Sequence, residues 1–155
     1  MASSSLQQQI ASMRQSLFDE GILDEQFNQL ENFEDDRAPD PVDSIINIYF
    51  STKYFEVMEQ ALEETPVDIA TLSSCLQTFK GSSVSIGAKS VTIEIDKMLQ
   101  CYRIRDIEAS RAAVQSMKQA YNTLQNKLEA YLELRRQAAL AQSSNPSSGG
   151  KRSIW

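Results

Sequence analysis

The sequence predicts an all-α fold, an up-down four-helix bundle with two additional short N-terminal helices, about six helices in all. Three observations carry the prediction. Apolar residues recur at helical spacing along almost the whole chain, and no stretch alternates at the strand period over a useful length. The breakers are sparse, with Gly21, Pro39, Pro41, Pro66 and Gly87 dividing the chain ahead of a Ser- and Gly-rich tail. The length of 155 residues is that of one domain, enough to bury roughly two thirds of the unfolded surface in a single core without staples.

The first helix is expected near residues 4–19, where Leu6, Ile10, Met13 and Leu17 fall on one face, and Gly21 ends it because glycine adopts the left-handed conformation without strain. The stretch from Met1 to Phe18 is also Ser-rich and free of acidic residues, as organelle transit peptides are, but its one-sided stripe favours a structural helix. Asp24 caps a short second helix carrying Phe27, Leu30 and Phe33. Residues 34–41, with Pro39 and Pro41, read as a loop. A third helix follows from about Asp43 to Glu64, with the stripe Ile45, Ile48, Tyr49, Thr52, Phe55, Met58 and Leu62. Asp68 caps a fourth helix reaching about Ile86, and a fifth from Ser90 carries Val91, Ile95, Met98 and Tyr102. The last begins near Asp106 and repeats Val114, Met117, Tyr121, Leu124, Leu128, Tyr131 and Arg135 at spacings of three and four, the seam of an antiparallel bundle helix, with Leu132 widening it. The domain is thus placed at 1–142, and 143–155 reads as a disordered tail with Trp155 exposed to solvent.

Composition removes several function classes. Fifteen basic against 21 acidic residues give a formal charge of −6, which argues against nucleic acid or anionic membrane as a partner. No run of eighteen apolar residues exists, and Ala2 follows the initial methionine, so neither a membrane span nor N-myristoylation is indicated. A soluble intracellular protein of 17.4 kDa is expected, small enough to diffuse between cytoplasm and nucleus. Cys75 and Cys101 stand apart from any CxxC pair and read as buried free thiols in a reducing compartment. The chain contains no histidine, which removes Ser-His-Asp and Cys-His arrangements and the usual zinc sites. Glu31, Glu34, Asp35 and Asp36 lack the ordered spacing of a calcium loop and read as solvated. The stretch from Gly81 to Ser90 imitates a phosphate-binding loop, but it has five residues between its glycines, an alanine before its lysine and helix on both sides. No cofactor, metal or complete catalytic set is expected, and the chain is read as a non-enzyme.

Projected on a helix, residues 72–90 separate into two faces. Leu72, Cys75, Leu76, Phe79, Ser83 and Ile86 form one, directed at the core, and Gln77, Lys80, Gly81, Val84 and Ala88 form the other. Gly81 is the odd choice, since glycine in mid-helix is about 1 kcal/mol less favourable than alanine. Two uses for a missing side chain stand open: close approach by another molecule, or tight packing by another helix of the same bundle.

The run Phe79-Lys80-Gly81-Ser82-Ser83, followed by Ser85-Ile86-Gly87-Ala88, resembles the signature of plant histidine-containing phosphotransfer proteins, the shuttles of cytokinin-type multistep phosphorelays. The segment from Gly21 to Leu30 is similar to that family's entry into its second helix, and helix number and length agree over residues 5–140. The resemblance places the phosphoacceptor histidine on Gln77 and the glutamine after it on Thr78. An imidazole nitrogen has a free lone pair that can take a phosphoryl group, whereas a carboxamide nitrogen has its own delocalised into the carbonyl. What the resemblance implies is therefore a pseudo-phosphotransfer protein. Lys80 matches the lysine beside the phosphorylated ring in active members, and Gly81 the glycine that admits a receiver domain's active site.

The implied partners are receiver domains of hybrid sensor histidine kinases and of response regulators, bound without accepting phosphate, so that the protein acts as a competitive negative regulator. The expected contact residues are Gln77, Lys80, Gly81 and Val84, extended by Ile22, Leu23 and Phe27 of the second-helix region. The alternative is a helical scaffold that inherited the bundle and binds unrelated partners. A monomer is expected, because the bundle can bury its own apolar stripes.

Overall fold

The computed structural model describes residues 2–32, 41–103 and 106–143, and every regular element among them is an α-helix. In chain order these are α1 (Ala2–Asp19), α2 (Glu25–Asn32), α3 (Pro41–Ser51), α4 (Tyr54–Glu63), α5 (Ile69–Ile86), α6 (Lys89–Arg103) and α7 (Ile107–Ser143). Phe33, the acidic stretch Glu34, Asp35 and Asp36, and the tail beyond Ser143 lie outside the described residues, as does the side chain of Tyr102. The chain groups into two compact units, one from Gly21 to Gln125 and one in which α1 joins the part of α7 from Asn126 onward.

The predicted caps at Asp24 and Asp68 hold, and Asp106 forms a third. Asp24 Oδ1 accepts from the backbone N–H of Gln26 at 3.0 Å, Asp68 Oδ1 from that of Thr71 at 3.1 Å, and Asp106 Oδ1 from that of Ala109 at 2.9 Å, each satisfying a first-turn N–H of its helix. Gly21 and Gly87 take positive φ, +73° and +77°.

The single helix expected over 43–64 is instead two, α3 and α4, separated at Thr52 and Lys53. Ser51 Oγ donates to the Asn47 carbonyl at 2.6 Å and Thr52 Oγ1 to the Ile48 carbonyl at 3.0 Å, side-chain bonds of the kind that loosen a helix from within. Lys53 then adopts φ −92° and ψ 60°, outside helical geometry. The break shifts the apolar register. Val42, Ile46 and Tyr49 of α3 are buried, and the stripe residues Ile45 and Ile48 face solvent at 38% and 68% exposure. Beyond the break Phe55, Met58 and Leu62 are buried as expected, joined by Tyr54.

In the unit from Gly21 to Gln125, α5 is the central element, packed against α2, α3, α4 and α6. Around its Phe79 gather Tyr49, Tyr54, Phe55 and Tyr121, with Tyr54 stacked on Phe79 at 4.2 Å between ring centroids and Phe55 and Tyr121 meeting it edge-on. Such geometry adds roughly 0.5–1.5 kcal/mol per pair to the burial of the rings themselves. The α6 stripe Val91, Ile95 and Met98 and the α7 stripe Val114, Met117, Tyr121 and Leu124 are buried as the spacing predicts. In the other unit Leu17 of α1 and Leu128, Tyr131 and Leu132 of α7 are buried. There Lys127 pairs with Glu20 at 3.0 Å, and the Arg135 guanidinium lies 6.0 Å over the Tyr131 ring.

Candidate partner-docking face

The site is built on α5. Its N-terminus is fixed twice by Asp68, which accepts from the Thr71 backbone N–H and, through Oδ2, from the Thr71 hydroxyl at 2.7 Å. Those bonds hold the Asp68 carboxyl below the usual carboxylate range. Its C-terminus closes at Gly87, whose left-handed conformation lets Ala88 N–H reach the Ser83 carbonyl at 2.9 Å and Gly87 N–H the Val84 carbonyl at 3.1 Å. The Gly87 carbonyl in turn accepts from Asp24 N–H at 3.0 Å, tying the start of α2 to this corner. No side chain fits at Gly87, because a Cβ there would strike the backbone nitrogen of Phe27 and lie 2.9 Å from Asp24 Oδ1.

Leu72, Leu76, Phe79, Ser83 and Ile86 point inward, as the projection predicts. Two of the serines serve the core: Ser83 Oγ shares a 2.6 Å hydrogen bond with the buried Tyr49 hydroxyl, and Ser82 Oγ accepts from Tyr54 at 3.1 Å. These bonds satisfy polar groups whose burial would otherwise be unfavourable by about 1–3 kcal/mol each. Burial drives the Tyr49 hydroxyl far above its ordinary value and pushes Tyr121 up to about 12. Cys75 is half-buried and its thiol is pushed up by burial, which leaves little thiolate to act as a nucleophile.

The outward face is confirmed for four residues and corrected for one. Gln77, Gly81 and Val84 are exposed, Val84 at 47%, and Lys80 is half-buried. Ala88 is fully buried. It follows the left-handed Gly87, so the helical projection that placed it outside no longer applies. Of the two uses of a missing side chain at Gly81, tight packing by a neighbouring helix finds no support among the described residues: a Cβ built there meets nothing within 4 Å outside its own helical backbone. The expected apolar extension is also corrected. Ile22, Leu23 and Phe27 are 6%, 1% and 0% exposed, because the bond from Asp24 to the Gly87 corner and a second from Ser90 N–H to the Ile22 carbonyl seat this segment in the core.

One partner had no signal along the sequence. Lys80 Nζ lies 2.8 Å from Asp96 Oδ1 on α6. One turn toward the corner from Lys80 stands Val84, and one turn back from Asp96 on the antiparallel α6 stands Ile93, 45% exposed, so an apolar step adjoins the ion pair. On the other side of α5 Thr78 lines a groove of about 490 Å³ with Lys53, Tyr54, Val57, Ser74 and Cys75. Among the described residues no group of three or more His, Cys, Asp or Glu side chains could hold a metal ion, and no helix is long and apolar enough to cross a membrane.

The described residues form a helical bundle whose α5 presents an uncovered glycine beside an exposed amide, a paired lysine and an exposed valine. Known proteins share that fold. The chain is 40% identical over 139 residues to pseudo histidine-containing phosphotransfer protein 2 of rice (Oryza sativa subsp. japonica), covering 88% of this chain and 92% of that protein. It is 37% identical over 116 residues to histidine-containing phosphotransfer protein 4 of Arabidopsis thaliana, covering 74% and 91%. Among solved structures it matches histidine-containing phosphotransfer protein 2 of Medicago truncatula at 29% identity and a TM-score of 0.81, over 88% of this chain and 94% of that one. No family model matches. The chain belongs to the plant histidine-containing phosphotransfer family, and it does so with no histidine in its sequence.

Proposed function

We propose that this chain is a pseudo-phosphotransfer protein of a multistep, cytokinin-type phosphorelay. It docks through the outward face of α5 on receiver domains of hybrid sensor kinases or response regulators, accepts no phosphate, and so competes with phosphate-carrying members as a negative regulator. The observation that carries this reading is Gly81, open to solvent in mid-helix between Gln77 and Val84, in a chain without histidine. Gln77 stands where the family's acceptor stands, and its amide can donate a hydrogen bond to a receiver carboxylate but cannot take its phosphoryl group. With Ile22, Leu23 and Phe27 buried, the apolar part of the face falls to Val84 and Ile93. The protein works as a monomer in cytoplasm and nucleus, on the same grounds of self-contained burial and small size.

The test pairs binding with transfer. Calorimetric titration into a plant sensor-kinase receiver domain is expected to give a one-to-one complex, and a receiver radiolabelled on its aspartate is expected to leave no label on this chain. Gly81→Trp, at a position where an added Cβ meets no neighbouring element, is expected to abolish the complex while the helical circular dichroism stays unchanged. Label on the chain, or full binding by a folded Gly81→Trp protein, sinks the proposal.

A further inference from the structure

Lys80 and Asp96 retain 38% and 51% of their side-chain exposure while their charged atoms stand 2.8 Å apart. The ammonium group on this face is therefore already answered by a carboxylate of its own chain. A carboxylate oxygen at that distance takes one of the three donor directions of the ammonium and offsets its charge, so it competes with an incoming oxyanion there. The next cation along α6, Lys97, is likewise paired, with Glu94 at 3.1 Å. We propose that Asp96 is a specificity-determining residue: it stands in for a phosphoryl group at Lys80 and makes this face select receivers in their unphosphorylated form.

Phosphorylation of a receiver's aspartate replaces one carboxylate charge by close to two phosphoryl charges, and Asp96 sits directly beside the lysine that would attract them. An unmodified receiver brings fewer charges and meets less of that repulsion. At an exposed site a unit charge a few ångströms away is worth roughly a fivefold change in affinity in water, and less at high salt. Competition for receivers that still lack phosphate would keep this protein from sequestering those that have already received it.

The partner in this inference rests on the proposed docking function, whereas the blocking of Lys80 belongs to this chain alone, so the experiment has two arms. In the first, a receiver domain with and without beryllofluoride, an aspartyl-phosphate mimic, is titrated with the natural protein and with Asp96→Asn. The ratio of affinities is expected to move toward the beryllofluoride form in the variant, by roughly threefold to tenfold, and a ratio unchanged within about twofold overturns the selection. In the second, the Lys80 side-chain ammonium is followed by NMR while inorganic phosphate is added. A response in Asp96→Asn and not in the natural protein supports the blocking, and equal responses overturn it. Failure of every receiver titration, with natural and variant protein alike, would overturn the docking function and the selection of receivers with it, and the phosphate arm would still decide the role of Asp96 at Lys80.

Discussion

A methyl group added at Gly81 would meet no other element among the described residues within 4 Å, so the missing side chain serves no packing between them. The helix loses about 1 kcal/mol there relative to alanine. Gly81→Ala is therefore expected to raise stability by about that amount in urea or thermal unfolding, and to weaken receiver binding, because even one methyl holds a partner's surface away. A variant that is less stable than the natural protein would show that Gly81 is packed after all. The oddity of Gly81 was readable in the sequence because helix propensity is local and the projection of one helix orders its own faces. The Lys80–Asp96 pair was not, since it joins two helices across a corner and no projection of α5 contains the geometry of α6. The burial of Ile22, Leu23 and Phe27 escaped for the same reason: their cover comes from the Gly87 corner, distant in sequence.

At the scale of elements, local chemistry was again what could be read. Asp24, Asp68, Asp106, Gly21 and Gly87 mark helix ends in the sequence and in the structure, because a cap is made by residues within a few positions of one another. The break between α3 and α4 was not readable. Its agents are the hydroxyls of Ser51 and Thr52, residues that occur in intact helices as well, and what tips the balance is burial of Tyr49 on one side of the break and Tyr54 on the other. The two left-handed glycines make a paired prediction. Gly21 has positive φ and open space around its Cβ position, so Gly21→Ala should lose only the conformational term, about 1–2 kcal/mol. Gly87 has positive φ and the backbone of Phe27 against that position, so Gly87→Ala should lose clearly more and lower the melting temperature further. Equal losses at the two positions would show that the α2 segment yields easily, and would remove the corner as the anchor of α5.

For the whole molecule, the absence of histidine shapes the response to pH. No side chain of this chain has an ordinary titration between pH 5 and 8, so stability should be nearly level across that window. The edges have opposite signs. Asp68, Glu20 and Glu133 are held below their ordinary values, chiefly by hydrogen bonds from Thr71, Ser16 and Arg136, and such depressed acids contribute stability above the unfolded-state value that is lost as pH falls through the folded one. Glu20 and Glu133 are exposed and Asp68 is half-buried at the surface, where water screens such bonds, so the acid limb should be shallow. The alkaline limb is different. Burial raises Cys75, Tyr121 and, most of all, Tyr49, so in each case the unfolded chain gives up its proton first. Their contribution is complete below the unfolded-state values and declines as pH rises toward the folded ones, from about pH 9 for the thiol and about pH 10 for the phenols. The slope for one tyrosine that stays protonated in the folded state is about 1.4 kcal/mol per pH unit. Urea unfolding at intervals from pH 6 to 11 should therefore show a plateau and then a fall, and Tyr49→Phe should flatten part of that fall while losing the Ser83 bond at every pH. A fall that began below pH 8, or one unchanged in slope by Tyr49→Phe, would mean that the Tyr49 hydroxyl does not sit in the closed aromatic core beneath α5, and the outward face of α5 would then rest on a softer foundation than its inward contacts imply.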